Sequence, residues 1–346
     1  MTAAPILILR ADGGPGIGGG HVMRCLALAQ AWGEAGGRAA FCAATLAPSL
    51  QQRLVDEGFG CITVDAKAGS STDAEATIAT AGSLGAGVIV IDGYQFPVEF
   101  HQRLRDAGLK TAAIDDNGEI GSNVDDLVIN QNRHASPALY AQRAGHTRLL
   151  LGTEYALLRR EFRNWQGPPR TFPASARQLL VTLGAADPSN VTADVIACIG
   201  TVPAADMEIV VVVGGSNPHA DAIAARAAQL PNCRLLRDPG GEMARLMAAA
   251  DLAICAGGST MWEMACMGVP FIPIVIADNQ RQAAAAMARD GYPAIERGAV
   301  PRELPAAVAA LAADAGRREA LSRRGRQLVD GRGAERVCAA LRELAR

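Results

Sequence analysis

The chain has 346 residues, 49% hydrophobic and 4% aromatic, and its 33 basic and 35 acidic side chains leave a formal charge of −2. That length accommodates two α/β domains, each with a core of its own. So balanced a charge leaves no electrostatic footprint for a phosphate backbone, and so few aromatics leave no stacking surface, which excludes nucleic acid as the partner.

In chain order, the first apolar run, residues 6–9, leads into Gly16-Ile17-Gly18-Gly19-Gly20-His21-Val22-Met23-Arg24, and a helix starting near His21 continues through Leu26, Leu28 and Trp32. Glycines allow a sharp turn and close approach of backbone to ligand, and the helix after them offers free N–H groups to an anion. A dinucleotide-binding turn needs GxGxxG and an acidic residue at the end of the next strand; the spacing differs here, and the run near residues 39–43 ends without Asp or Glu. Among the five histidines, His21 alone stands in a glycine loop between strand and helix. It reads either as a satisfied structural residue or as a neutral imidazole that takes a proton from water.

Apolar runs at residues 88–91, 111–114 and 127–129 follow, then Trp165-Gln166-Gly167-Pro168-Pro169-Arg170-Thr171-Phe172-Pro173, whose prolines disfavour helix and remove ladder donors. A second set lies at 179–183, 209–213, 252–255 and 271–276. The first of these runs into Gly184-Ala185-Ala186-Asp187-Pro188, with a helix expected near Ser189. The third runs into Ala256-Gly257-Gly258-Ser259-Thr260 and a helix containing Trp262, Glu263 and Cys266. There Ser259 or Thr260 caps the helix, or its free N–H groups receive a diphosphate. Alternating strand and helix patterns specify parallel sheets wrapped by helices. The expected fold is therefore α/β, two Rossmann-like domains facing across a cleft: residues 1–164, a linker at 165–175, and 176–346, with the last helix, near 335–344, open to crossing back to the first domain.

The cysteines (Cys25, Cys42, Cys61, Cys198, Cys233, Cys255, Cys266, Cys338) form no CxxC pair and are expected to be reduced and buried. With neither a signal-peptide pattern nor an apolar run of about 18 residues, the expected location is cytoplasmic and off the membrane.

Several segments in one order carry a resemblance over nearly the whole chain: Arg10-Ala11-Asp12 with residues 18–24, Val128-Ile129-Asn130-Gln131-Asn132, residues 152–159, residues 183–188, residues 256–263, Ala277-Asp278-Asn279-Gln280 and Asp330-Gly331-Arg332-Gly333-Ala334. Together they resemble the glycosyltransferase-B architecture, and more narrowly the UDP-2,4-diacetamido-2,4,6-trideoxy-β-L-altropyranose hydrolases of pseudaminic acid biosynthesis, a route associated with flagellin glycosylation. The C-terminal portion also resembles the peptidoglycan N-acetylglucosaminyltransferases. The resemblance implies that His21 accepts the proton and that Gly18, Gly20, Arg24, Tyr94, Asn130 and Arg159 line the sugar. It implies equally that Gly184, Gly257, Gly258, Ser259, Thr260, Glu263, Asn279 and Gln280 hold the nucleotide, with Glu263 on the ribose hydroxyls. Glu263 stands one helical turn after Ser259, a spacing that suits a carboxylate accepting from a diol.

Two departures stand out. Ala185 and Ala186 replace a second glycine and a serine usual in that family, and Gly93 replaces a common histidine. With no DxD motif, no metal and no cofactor are expected. The expected reaction is inverting hydrolysis of a UDP-sugar by a monomer. A glycosyltransferase with the same nucleotide site and a non-catalytic sugar-nucleotide-binding protein are the rivals.

Overall fold

The computed structural model describes residues 4–118, 124–165, 170–202 and 207–345. They form two compact units: Met1–Arg160 with Gly331–Arg346, and Glu161–Asp330.

In the first unit, β1 (Ile6–Ala11), α1 (Gly20–Glu34), β2 (Arg38–Ala43), α2 (Pro48–Asp56), β3 (Cys61–Thr63), α3 (Ser71–Leu84), β4 (Val88–Asp92), α4 (Val98–Asp106), β5 (Lys110–Ile114), β6 (Leu127–Asn130) and β7 (Arg148–Leu151) follow one another. The strands make one parallel sheet, ordered β3-β2-β1-β4-β5-β6-β7. Successive side chains of a strand face opposite ways. Leu7, Leu9, Val88 and Val90 accordingly pack under α1 with Leu26, Ala29 and Trp32, while Ile8, Ile89 and Ile91 pack on the other face with Phe96, Phe100 and Leu104.

A short α5 (Arg160–Arg163) leads into the second unit: β8 (Gln178–Thr182), α6 (Val191–Ile199), β9 (Glu208–Val213), α7 (Ala220–Ala227), β10 (Cys233–Arg237), α8 (Met243–Ala249), β11 (Leu252–Ala256), α9 (Thr260–Cys266), β12 (Phe271–Val275), α10 (Arg281–Arg289), β13 (Ile295–Glu296), α11 (Val300–Ala313) and α12 (Ala315–Leu328). Its parallel sheet is ordered β10-β9-β8-β11-β12-β13. Both sheets therefore build outward from their first strand and then reverse, which puts a switch point at the carboxyl ends of β1 and β4 and another at those of β8 and β11. Arg318, fully buried, donates to the carbonyls of Leu311 at 2.5 Å, of Ala312 at 2.6 Å and of Pro173, tying the start of this unit to the α11–α12 junction.

The last helix, α13 (Gly333–Leu344), belongs to the first unit. Its Ala334, Val337, Cys338 and Leu341 enter the same cluster as Trp32 and Leu28 of α1. Gly333 permits the approach, since a Cβ there would lie 2.2 Å from the Ala156 carbonyl oxygen. The residues expected as a linker fall at the start of the second unit, and those at 166–169 lie outside the described residues.

All eight cysteines are unpaired, and the expectation that all are buried needs correction: Cys61, Cys233 and Cys266 are half-buried. Cys61 and Cys233 sit on the edge strands β3 and β10, which have a neighbour on one side only, and Cys266 ends α9. Among the described residues no helix is long and apolar enough to cross a membrane.

Candidate functional site

At the switch point of the first unit, six charged or titratable side chains meet: His21, Arg24, Cys25, Asp92, Asp116 and Tyr94. His21, Arg24 and Cys25 lie at i, i+3 and i+4 on α1, one face of the helix, and that face looks at the carboxyl end of β4, where Asp92 ends the strand. His21 Nδ1 lies 2.7 Å from Asp92 Oδ1. Arg24 grips the same carboxylate with two donors, Nε to Oδ2 at 2.5 Å and Nη2 to Oδ1 at 2.6 Å. Its remaining nitrogen, Nη1, donates to both oxygens of Asp116, at 2.8 and 2.9 Å. One guanidinium thus bridges two carboxylates, the planar fork geometry that makes arginine suited to such pairing.

The tautomer of His21 follows from its neighbours. Arg24 Nη2 also stands 3.3 Å from Nδ1, but an arginine only donates and a carboxylate only accepts. The shorter contact, to Asp92, decides: Nδ1 carries the hydrogen and donates it, leaving the lone pair on Nε2.

Burial alone would push the Asp92 carboxyl up, yet the Arg24 guanidinium and His21 outweigh it and hold Asp92 below the usual carboxylate range. Asp116 is depressed in the same way, against its burial, by Arg24 and by the hydroxyl of Tyr94. Desolvation works against the Arg24 charge, but Asp116 and Asp92 keep it protonated, far above its ordinary value. Cys25 is pushed well up by burial and by Asp92, so it stays a thiol.

Tyr94 completes this group. It is 48% exposed, donates to Asp116 Oδ2 at 2.8 Å, and sets its ring edge-on to His21 with centroids 5.0 Å apart. Asp116 is fixed from behind: Asn132 Nδ2 donates to its Oδ1 at 2.9 Å, and Asn130 Nδ2 to its carbonyl at 3.0 Å. Arg159, 9% exposed, brings Nη1 to 3.8 Å from Met23 Sδ, next to the first turn of α1. The segment before it is anchored where Gln131 Oε1 accepts from the Leu157 N–H at 2.8 Å.

Of the residues expected on the sugar, His21, Arg24, Tyr94, Asn130 and Arg159 all come from this unit, as do Gly18 (φ +82) and Gly20, which shape the turn. One of them needs correction as a ligand contact. Asn130 has no exposed surface, and its amide is committed to Asp116, Tyr140 and the Asn132 N–H. Arg24 keeps 7% of its surface exposed while it bonds the two carboxylates. Both hold other groups in place. Asp92 and Asp116 were missed by the sequence reading, although Ile91-Asp92 and Ile114-Asp115-Asp116 repeat an acidic residue just where two adjacent strands end.

The second unit has two glycine turns at its own switch point, and they differ. After β8, Gly184 takes φ +91, but the amino end of α6 is already occupied: Asp187 accepts from Val191 N at 3.0 Å, Thr192 N at 2.8 Å and Thr192 Oγ1 at 2.6 Å. The helix there starts at Val191, two residues later than expected, because Asp187 and Asn190 take positive φ to deliver this cap. After β11 the helix end is open. Ser259 makes no capping hydrogen bond through its side chain, correcting that alternative, and the N–H groups of Gly258, Ser259 and Thr260 donate to no acceptor among the described residues. Gln280 braces this turn, its Oε1 accepting from Gly257 N at 3.2 Å and Ile276 N at 3.1 Å. Glu263 and Asn279 are half-buried nearby in sequence, on α9 and just before α10.

Comparison with known proteins identifies the fold. Residues 204–328 match the glycosyltransferase family 28 C-terminal domain. The chain is 33% identical over 205 residues to the spore coat polysaccharide biosynthesis protein SpsG of Bacillus subtilis (strain 168), a match covering 58% of this chain and 60% of SpsG. The chain thus spans less than two thirds of the length of the curated relatives it matches. The glycotransferase of kitacinnamycin superposes with a TM-score of 0.68 at 18% identity, covering 99% of each chain. The spinosyn rhamnosyltransferase SpnG, solved with thymidine diphosphate, gives 0.64 at 16%, covering 99% of this chain and 100% of SpnG. The fold is glycosyltransferase-B.

Proposed function

We propose that the chain is an enzyme acting on a nucleotide-diphosphate sugar, and in finer terms that it hydrolyses UDP-2,4-diacetamido-2,4,6-trideoxy-β-L-altropyranose to UDP and the free sugar, a step of pseudaminic acid formation. The observation that carries this reading is the His21–Asp92 pair at the β1/β4 switch point, which holds an imidazole with its basic nitrogen, Nε2, turned away from its carboxylate partner. Nε2 takes a proton from water as the water oxygen bonds to the anomeric carbon. The bond from that carbon to the diphosphate oxygen breaks, and UDP leaves with the electron pair. Asp92 stays ionised and stabilises the imidazolium. Direct displacement of this kind inverts the anomeric centre.

The nucleotide is assigned to the second unit. The open N–H groups of Gly258, Ser259 and Thr260 suit a diphosphate, and Glu263 suits the two ribose hydroxyls. SpnG, of the same fold, was solved with a nucleoside diphosphate, which supports a nucleotide site of this kind. Tyr94 faces the sugar beside His21, and Arg159 lies toward the nucleotide sugar.

A transferase that replaces water with a sugar acceptor is the second reading, favoured by the match to the glycosyltransferase family 28 domain. Incubating the full chain with UDP-sugars and a chelator, with no acceptor present, separates the two. Hydrolysis predicts UDP and free sugar in equal amounts, whereas a strict transferase releases neither until an acceptor is added.

A further inference from the structure

The segment that carries Tyr94 is fastened by the residue after it. Gln95 Nε2 donates to Asp12 Oδ2 at 2.8 Å. Asp12 is itself immobile: it is 1% exposed, and its Oδ1 accepts from Arg10 Nη1 at 2.9 Å, Ala44 N at 2.7 Å and Thr45 N at 3.0 Å. Arg10 is locked in turn by Asp73, at 3.0 and 2.8 Å, and its guanidinium covers the Phe96 ring at 4.8 Å.

Two glycines leave room for this arrangement. A Cβ on Gly69 would lie 2.0 Å from the Gln95 carbonyl oxygen, and one on Gly93, whose φ is +153, would lie 2.6 and 2.8 Å from the Gln95 amide atoms. The chain on either side of Tyr94 is therefore held while the Tyr94 ring itself is 48% exposed. The Tyr94 hydroxyl is held at Asp116, and the backbone beside it is held through Gln95 at Asp12, so the ring is placed from both ends: a shift of the backbone end re-aims the ring about its hydroxyl anchor.

We propose that Gln95 is a positioning residue: by tying the Tyr94 segment to Asp12 it sets the Tyr94 ring against His21, in the place where substrate meets both. This rests on the reading of His21 as the base. Gln95→Met, similar in length but without the amide, is the test, made on the full chain. In the ligand-free protein it shifts the NMR signals of the Tyr94 ring and the His21 imidazole while the thermal melt stays cooperative. With UDP-sugar, KM rises about tenfold and kcat changes little, on the scale of a misplaced contact. Combined with Tyr94→Ala, it costs nothing further. Wild-type Tyr94 and His21 signals in Gln95→Met, or losses from Gln95→Met and Tyr94→Ala that multiply, overturn the assignment. If Gln95→Met does not fold, Gln95→Asn, which keeps the amide on a shorter stem, carries the same measurements. The NMR comparison needs no substrate, so a chain that turns over no UDP-sugar refutes the proposed function without touching this result.

Discussion

Asp92 accepts the Nδ1 hydrogen of His21 at 2.7 Å, and that contact leaves the lone pair of the imidazole on Nε2. The same carboxylate neutralises part of Arg24, whose other end holds Asp116. One aspartate therefore holds both His21 and Arg24 at the β1/β4 switch point, and in the proposed function it serves the chemistry as well as the packing.

Replacing Asp92 with Asn separates these roles. An amide can present its oxygen to Nδ1–H or its NH2 to Nδ1, so the tautomer is no longer fixed, and loss of the imidazolium partner lowers kcat by about 10²- to 10⁴-fold. Arg24 also loses one of its two carboxylate partners while keeping Asp116, which costs about 1.5–3 kcal/mol of folding stability. Steady-state kinetics with a denaturant titration read both effects, and an Asp92→Asn enzyme with wild-type kcat would remove the dyad from the mechanism.

The acid limb of stability should trace to the same cluster. Asp92 and Asp116 titrate lower in the folded chain than in the unfolded one. Their contribution is thus complete above the unfolded carboxyl value, about 3.9, and vanishes as pH falls through the lower folded values. Asp116→Asn removes one of these groups, so its stability at neutral pH is lower and its curve below about pH 4 is flatter. Melting temperature against pH checks this; parallel curves for the two proteins would contradict it.

Much of this could be read from the amino acids before any coordinates. The buried strands β1, β4, β9, β11 and β12 each hold an unbroken apolar run of at least four residues, because helices cover both faces, and such runs announce themselves. The edge or near-edge strands β3 (Cys61-Ile62-Thr63), β7, β10 (Cys233-Arg234-Leu235-Leu236-Arg237) and the two-residue β13 did not, since short mixed runs look like loops. The helix that returns to the first unit was legible as a helix but not in its destination, which depends on the Gly333–Ala156 approach, a contact remote in sequence. In the site, His21 stood out through its glycine loop. Its partners did not, because Asp92 and Asp116 lie 71 and 95 residues away and only the strand order brings them together. Asn130 misled for the same reason: a polar side chain at a strand end looks open to ligand until Tyr140 and Asn132 are seen to enclose it.

Glu263 carries the nucleotide side of the account. Glu263→Gln keeps one acceptor but loses the charge-assisted pair to the ribose hydroxyls, so UDP binding weakens by about 1.5–3 kcal/mol. Calorimetry with UDP alone reads this loss directly. Intact UDP affinity beside weakened binding of free sugar would exchange the roles assigned to the two units.

The central claim is that His21 takes the proton from water, and His21→Asn tests it most directly. The two proteins are compared in one NMR experiment that follows UDP and free sugar from the UDP-sugar over time, with UDP affinity measured alongside. The account predicts unchanged UDP affinity and a turnover lower by about 10²-fold or more. Turnover by His21→Asn within a few-fold of the unaltered chain would contradict it.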